Sequence, residues 1–219
     1  MSKLFVVATP IGNLEDISKR AIETLQRVDF ILAEDTRRTQ KLLNTFNIKT
    51  KVISYHQHSK LQKLDKILKL LKGGNDLALV TDAGTPGISD PGNKLVAKVA
   101  SFVEVIPIPG PSAITAIASV AGMPMDRFLF LGFPPHKRKR KKFFEKIEKS
   151  EYPVIIYESC YRILKTLGEL DPDFKIVVGR ELTKKFERIY RGTVKEAIKE
   201  IQKDKIKGEF VMVIQQNGK

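Results

Sequence analysis

The stretch from Leu79 to Gly92, LVTDAGTPGISDPG, passes from apolar residues into a loop rich in glycine, proline and aspartate. A connection between a strand and a helix usually needs about two to six residues and far less glycine and proline. Glycine lets a ligand approach the backbone, and proline holds a loop open with little conformational freedom. Asp82 can accept hydrogen bonds from an amine or hydroxyl of a ligand, or it can cap the loop. The pattern favours a binding loop.

Two further loops of similar composition follow predicted strands, TPIGN at 9–13 and PGPSA at 109–113. In an open α/β sheet, ligands bind beyond the carboxyl ends of the strands, where all three loops should lie. Together the loops favour a nucleotide-like ligand. Neither G-x-G-x-x-G nor the Walker pattern G-x-x-x-x-G-K-[ST] occurs in the sequence, which argues against NAD and against nucleoside triphosphates.

Carboxylates that could accept a proton, and cations that could assist its removal, occur in three motifs. They are Glu34, Asp35 and Arg37 in AEDTR, Glu158 in YES, and Arg180, Glu181 and Lys184 in RELTK. Asp35 stands directly before Thr36, where a helix N-cap belongs, so capping and catalysis are both open for it. Glu34 and Glu181 are favoured for function because an arginine lies close to each in sequence.

The predicted secondary-structure elements that position these residues follow a different order in each half of the chain. In the first half, strands and helices alternate, which predicts a parallel sheet covered by helices. The predicted strands are 4–8, 29–35, 51–55, 77–81 and 103–109, and the helices are 17–28, 36–46, 61–72 and 90–102. Asp90 is the expected N-cap of the last helix, with Pro91 at its first position.

From about residue 112 this alternation stops, beginning with a helix of small side chains that ends near Ser119. Strands then follow one another with fewer helices, which predicts a mixed or largely antiparallel sheet. The predicted strands are 126–133, 154–159, 175–182, 186–194 and 208–216. The fold class is therefore α/β with two packed domains, 1–114 with a mainly parallel sheet and 115–219 with a mixed sheet.

Bulk composition describes a soluble globular protein, with 42% hydrophobic and 29% charged residues. No run of about 18 apolar residues and no signal-peptide pattern is present, so we expect no membrane association. Cys160 is the single cysteine, which excludes an intrachain disulfide and favours a cytoplasmic protein.

The formal net charge of +14 includes six consecutive basic residues, Lys137 to Lys142. Like charges packed together repel one another, so such a block usually serves a polyanion. Pro134 and Pro135 stiffen the chain just before it. The sequence predicts an exposed, poorly ordered loop of six cations.

Seven motifs follow one another as in the tetrapyrrole-methylase-like (class III) methyltransferases, and more narrowly resemble members that act on ribosomal RNA. The motifs are ATPIGNLEDIS, ILAEDTRRTQKLL, LVTDAGTPGISDPG, PIPGPSAITA, LGFPP, YES and GRELTKKFE. The resemblance runs from Leu4 to about Gln215. It implies a homodimeric enzyme that uses S-adenosyl-L-methionine to methylate the ribose 2′-oxygen of a cytidine in small-subunit (16S) ribosomal RNA.

The resemblance also implies site residues, with the cofactor in a cleft between the two domains. The implied cofactor contacts are Pro10, Ile11, Gly12, Asp82, Ala83, Gly84, Thr85, Pro86, Ser112, Ala113, Tyr157 and Glu158. The candidate catalytic residues are Glu34, Asp35, Arg37, Glu181 and Lys184. The sulfonium of the cofactor is cationic, so loops without lysine suit it.

We expect no metal. The sequence lacks H-E-x-x-H, G-x-S-x-G and zinc-type clusters. His56 and His58 alternate at a predicted strand end without a third ligand nearby, and His136 stands apart. Surface or RNA-facing positions suit them better.

Two other functions remain open. A methyltransferase acting on tetrapyrroles of the precorrin or uroporphyrinogen type shares the fold and cofactor, and its polycarboxylate substrate would also suit a basic patch. The AEDTR and TPIGNL variants favour the ribosomal RNA group. A non-catalytic RNA-binding protein would explain the basic block but would leave the three Gly/Pro loops without a role.

Overall fold

A computed structural model describes residues 2–56 and 61–216, except for the side chains of Leu61 and Gln62. The chain divides into two compact units, Met1–Ser112 and Ala113–Lys219. Each unit has its own five-stranded sheet. The α/β class and the contrast between a parallel and a mixed sheet, both predicted from the sequence, are confirmed.

The sheet of the first unit is entirely parallel, in the order β3-β2-β4-β1-β5. Its strands are β1 (Lys3–Val7), β2 (Phe30–Ala33), β3 (Lys51–Ser54), β4 (Leu77–Leu79) and β5 (Glu104–Ile108). Parallel strands end at one edge of a sheet, so the loops after β1, β4 and β5 share that edge. β1 lies between β4 and β5, which makes these three loops neighbours.

Helices cover both faces of this sheet, because successive side chains of a strand point to opposite sides. They are α1 (Lys19–Arg27), α2 (Thr36–Thr45), α3 (Leu61–Lys72) and α4 (Asn93–Val99), and a short 3-10 helix spans Leu14–Asp16. Phe5 belongs to one apolar core with Leu25 of α1 and Leu43 of α2. Leu4 belongs to the other, with Ile67 of α3 and Leu95 of α4.

The predicted start of α4 is wrong. The helix begins at Asn93 after Gly92, without a side-chain cap, rather than after Asp90. A Cβ at Gly92 would lie 3.1 Å from the backbone nitrogen of Gly87, so this glycine packs back against the loop. Asp90 and Pro91 therefore belong to the loop.

The sheet of the second unit has the order β6-β7-β10-β8-β9, and only the β6–β7 pair is parallel. Its elements are α5 (Ala113–Ser119), β6 (Leu129–Gly132), α6 (Arg140–Glu148), β7 (Val154–Ser159), α7 (Ile163–Leu167), β8 (Lys175–Arg180), β9 (Arg188–Thr193), α8 (Val194–Lys203) and β10 (Glu209–Gln215). β9 is an edge strand on which Arg188 and Arg191 are exposed.

One face of this sheet forms an apolar core with α6, α7 and α8, to which Phe144, Ile163 and Ile201 belong. On β8, Gly179 lets α5 approach closely. A Cβ at Gly179 would lie 2.9 Å from Ile117 Cδ1 of α5 and 2.8 Å from Leu182 Cδ2. Gly179 thus makes room for Ile117, a large buried side chain of this helix.

Candidate functional site

Backbone hydrogen bonds join the loop after β1 to the loop after β4. The Thr9 amide donates to the Gly84 carbonyl at 2.9 Å, and the Gly84 amide donates to the Thr9 carbonyl at 3.0 Å. The Thr9 hydroxyl also donates to the Thr81 carbonyl at 3.1 Å. The two predicted loops therefore form one bridged unit at the carboxyl edge of the sheet.

Gly84 is the point at which all three predicted loops meet. Its φ of +81° lies in the left-handed region, which favours glycine. A Cβ at this position would lie 3.4 Å from Ile11 Cγ2 and 3.8 Å from the Pro111 carbonyl oxygen. Other predicted contacts occupy the same loops, namely Pro10, Gly12, Ala83, Thr85, Pro86 and Ser112. Their contact with a cofactor stays a prediction.

Asp82 connects the loop after β4 to the start of α2. Its Oδ1 accepts a hydrogen bond from the Asp35 amide at 3.0 Å, and its Oδ2 lies 3.3 Å from Arg38 Nη1. The carboxylate therefore stabilises the junction of two elements. Its predicted contact with a ligand stays a prediction.

Asp35 is the N-cap of α2, which is one of the two roles open from the sequence. Its Oδ1 accepts from the Arg37 amide at 2.8 Å, and Arg37 Nη2 donates to its Oδ2 at 2.9 Å. These hydrogen bonds, above all that from the Arg37 side chain, lower the pKa of Asp35 from 3.8 to about 2. Asp35 is consequently a weak proton acceptor.

Glu34 lies beside Asp35 but makes different contacts. Its Oε2 accepts a hydrogen bond from the Thr81 hydroxyl at 3.0 Å, and the side chain is partly buried. Thr81 is also the residue whose carbonyl accepts from Thr9. Glu34 is thus attached directly to the bridged loops. This connection between β2 and the loop after β4 could not be read from sequence spacing.

In the second unit, Glu158 is engaged by its own neighbours. Its side chain is 0% exposed. Oε1 accepts from the Ser159 amide at 2.7 Å and lies 2.8 Å from Arg162 Nη2, and Oε2 accepts from the Thr166 hydroxyl at 2.6 Å. A buried carboxylate needs such partners. Its predicted contact with the cofactor stays a prediction, as do those of Ala113 and Tyr157.

Arg140 is a buried member of the basic block, and the predicted loop of six exposed cations is wrong at this position. Nε donates to Glu169 at 2.7 Å, Nη1 to the Pro135 carbonyl at 2.9 Å, and Nη2 to the Thr166 hydroxyl at 2.8 Å. The block also enters α6 at Arg140. Because Thr166 also donates to Glu158, these residues form one hydrogen-bonded chain, called here the Arg140 network and comprising Arg140, Glu158, Arg162, Thr166 and Glu169.

Glu181 and Lys184 contact one another in the second unit. Lys184 Nζ lies 2.8 Å from Glu181 Oε1 and 2.8 Å from Glu209 Oε2. Burial by itself raises the pKa of Glu181, but hydrogen bonds from Lys184 and the Glu209 amide outweigh it and lower that pKa. Burial by itself lowers the pKa of Lys184, but hydrogen bonds to the carboxylates of Glu181 and Glu209 outweigh it and raise that pKa. The three residues tie the end of β8 to the start of β10, and the predicted catalytic role stays a prediction.

Within residues 2–56 and 61–216, no group of three or more His, Cys, Asp or Glu side chains is arranged to hold a metal ion. His56 lies at the surface, with Nε2 3.0 Å from the Ser54 hydroxyl. His58 falls outside the described residues. No helix in the described part of the chain is long and apolar enough to cross a membrane.

Residues 3–198 match the family model described as Tetrapyrrole (Corrin/Porphyrin) Methylases. The chain belongs to the tetrapyrrole methylase family. This confirms the resemblance read from the motifs. The match covers the bridged loops of the first unit and, in the second, the strands up to β9 and the first half of α8.

Curated members of the tetrapyrrole methylase family resemble the chain over nearly its whole length. A Synechocystis protein named Ribosomal RNA small subunit methyltransferase I is 47% identical, over 98% of this chain and 79% of that protein. A Thermotoga maritima protein of the same name is 43% identical, over 98% of both chains. A crystal structure of diphthine synthase has the same fold, with a TM-score of 0.73 at 15% identity, over 98% of this chain and 90% of that one.

Methyltransferases of this family use S-adenosylmethionine. The loops around Gly84 fit that molecule. Residues 8–13, 82–92 and 109–113 contain no lysine or arginine that would repel a sulfonium. A side chain at Gly84 would fill space between Ile11 and Pro111 that the glycine leaves open.

Proposed function

We propose that the protein transfers a methyl group from S-adenosylmethionine to the ribose 2′-oxygen of a cytidine in small-subunit ribosomal RNA. The observation that carries the proposal is the 47% identity, over 98% of the chain, to a protein named Ribosomal RNA small subunit methyltransferase I. The name supports ribosomal RNA as the substrate. The cytidine and the 2′-oxygen follow from the motif resemblance described above.

In this proposal the bridged loops hold the cofactor, which supplies an electrophilic methyl group on a positively charged sulfur. Thr9 and Gly84 fix the loops after β1 and β4 against one another, and Ile11 and Pro111 border the open position beside Gly84. Backbone carbonyls and amides of these loops bind the polar groups of the cofactor. Holding the two reactants in line is the main contribution of the protein to the rate.

Glu34 is the residue we assign to the ribose hydroxyl. A hydroxyl is weakly acidic, so a carboxylate that accepts its proton or hydrogen bond assists the transfer. Both oxygens of Asp35 are taken by Arg37, which also lowers the pKa of Asp35. Glu34 uses Oε2 for Thr81 and is attached to the loops that hold the cofactor.

A product assay tests the reaction. Small-subunit ribosomal RNA lacking the modification is incubated with protein and S-adenosylmethionine, both as free RNA and as assembled subunits, and is then digested to nucleosides for mass spectrometry. We expect 2′-O-methylcytidine. A base-methylated nucleoside, or transfer to a uroporphyrinogen acceptor alone, would refute the proposal.

The same assay under single-turnover conditions tests Glu34. We expect Glu34→Gln to lower the rate of methyl transfer by roughly 100-fold, the scale of one general base, while cofactor affinity stays near that of the wild type. Asp35→Asn keeps the helix cap and serves as the matched control, with a rate within a few-fold of wild type. A larger loss in Asp35→Asn than in Glu34→Gln would reverse the assignment.

A further inference from the structure

Tyr161 and Phe133 are exposed aromatic side chains in the second unit. Tyr161 is 94% exposed, more than any other large apolar or aromatic residue that the structure describes, and Phe133 is 51% exposed. Tyr161 gains little from burial within the chain, whereas Phe133 is half-buried and packs against Tyr157, with the ring centroids 5.4 Å apart. Exposed aromatic faces of this kind are typical of sites where another molecule stacks.

A hydrogen bond brings the segments that carry the two rings together. Arg162, next to Tyr161, donates from Nη1 to the carbonyl of Pro134, next to Phe133, at 3.1 Å. Its Nη2 lies 2.8 Å from buried Glu158. The turn before α7 and the segment after β6 are therefore fixed to one another by a partly buried guanidinium.

Unpaired cations occupy the same segment. Lys137, Arg138 and Lys139 are exposed, and no ion pair found within the described residues includes any of them. Lys139 has a φ of +65°, which is uncommon for a residue with a side chain. Arg140 follows directly and bonds to the Pro135 carbonyl at 2.9 Å. The hydrogen bond from Arg140 to Pro135 thus links the two ends of the cationic segment.

We infer that Tyr161, Phe133 and the cations Lys137, Arg138 and Lys139 form a surface that binds unpaired RNA. The rings stack on bases, and the three cations contact phosphates. The choice of RNA rests on the proposed function. Unpaired RNA is the occupant because a duplex hides its base faces, whereas splayed-out bases offer them to aromatic side chains. A second copy of the chain packed by the same surface would place six cations in one interface.

Binding of a fluorescently labelled single-stranded oligoribonucleotide, followed by anisotropy without S-adenosylmethionine, tests the surface. We expect Tyr161→Ala to weaken binding by roughly 5- to 150-fold, the range for loss of one base–aromatic stack. Tyr161→Phe should bind like the wild type because the ring remains. A hairpin duplex of equal length should bind more weakly, and Tyr161→Ala should not affect its affinity.

Salt dependence separates the rings from the cations. Lys137→Gln should reduce the slope of log affinity against log salt by about 0.7, the value for one single-strand phosphate contact. Tyr161→Ala should lower affinity at every salt concentration and leave the slope unchanged, because a tyrosine ring carries no charge. A slope that changes equally in both variants would overturn the division of roles.

Phe186, which is 67% exposed and lies just before β9, provides the matched control. Phe186→Ala should leave RNA binding unchanged. Wild-type affinity in both Tyr161→Ala and Phe133→Ala would overturn the inference, as would equal losses in Phe186→Ala. A change in the oligomeric state of RNA-free Tyr161→Ala would assign the surface to a second copy instead. None of these readouts requires methyl transfer, so failure of the proposed reaction would be seen separately.

Discussion

The loops around Gly84 and the Arg140 network differ in the interactions that hold them and in the space that they leave for a ligand. Around Gly84, backbone amides and carbonyls of Thr9 and Gly84 bond to one another, and the conformation depends on a glycine with positive φ. In the Arg140 network, Arg140 and Glu158 are buried, and their charges are met by other side chains and by a backbone carbonyl. One region leaves open space, and the other fills it.

This difference predicts whether a substitution lowers stability or ligand affinity. Removing one member of a buried charged network leaves its partners unsatisfied, so the loss falls on the free energy of unfolding. Adding one methyl group beside an open backbone position changes what can lie there, so the loss falls on ligand affinity. Substitutions in the two regions should therefore separate stability from binding.

The largest effect is expected from Arg140→Met. We expect the free energy of unfolding to fall by about 3 kcal/mol, the lower end of the range for breaking a buried ion pair, because Glu169 keeps part of its carboxylate in solvent. Lys142→Met changes an exposed cation of the same helix and should lie within about 0.5 kcal/mol of the wild type. Urea denaturation measures both. Equal losses in the two variants would show that Arg140 is no more structural than its neighbours.

Gly84→Ala should produce the next largest effect, on S-adenosylmethionine. We expect affinity to fall by roughly tenfold or more, equivalent to about 1.4 kcal/mol, because the methyl group enters the space beside Ile11. Gly74→Ala is the matched control: its φ is +90° and a Cβ there has no neighbour within 4 Å. Both variants should lose comparable stability, and calorimetric titration should find weaker cofactor binding only in Gly84→Ala. Unchanged affinity in Gly84→Ala would indicate that the loop is an ordinary turn and does not bind the cofactor.

The smallest effect is expected at Asp35, whose pKa is lowered by hydrogen bonds from the side chain and the backbone amide of Arg37. Its folded pKa of about 2 lies below the ordinary value of 3.8, so its contribution to stability is present above 3.8 and lost as pH falls through about 2. The stability difference between the wild type and Asp35→Asn should therefore shrink towards zero as pH approaches about 2. NMR titration should find the Asp35 pKa shifted towards 3.8 in Arg37→Gln. A wild-type value already near 3.8 would contradict the structure.

The regions also differ in how much of them the sequence predicted. The three Gly/Pro loops and their common edge could be predicted because the alternation of strands and helices and the composition of the loops are local signals. The burial of Arg140 could not, since six adjacent basic residues look alike until α7 supplies Thr166 and β7 supplies Glu158. The start of α4 was missed because Asp90-Pro91 is a good local cap, whereas packing of Gly92 against Gly87 depends on the folded loop. For Asp35, the sequence left two roles open, and only the contacts to Arg37 identified the cap.

The sheet of the second unit ends in β9, which pairs with β8 on one side and with none of the other strands described for that sheet. Such an edge is a template for self-association, in which a second chain adds its own strand and the process repeats. Arg188 and Arg191 are exposed there and, three positions apart, point to opposite faces of the strand. An approaching copy would bring its own arginines against them. We therefore expect these arginines to disfavour strand addition at β9, which gives part of the positive charge of this protein a role in resisting aggregation.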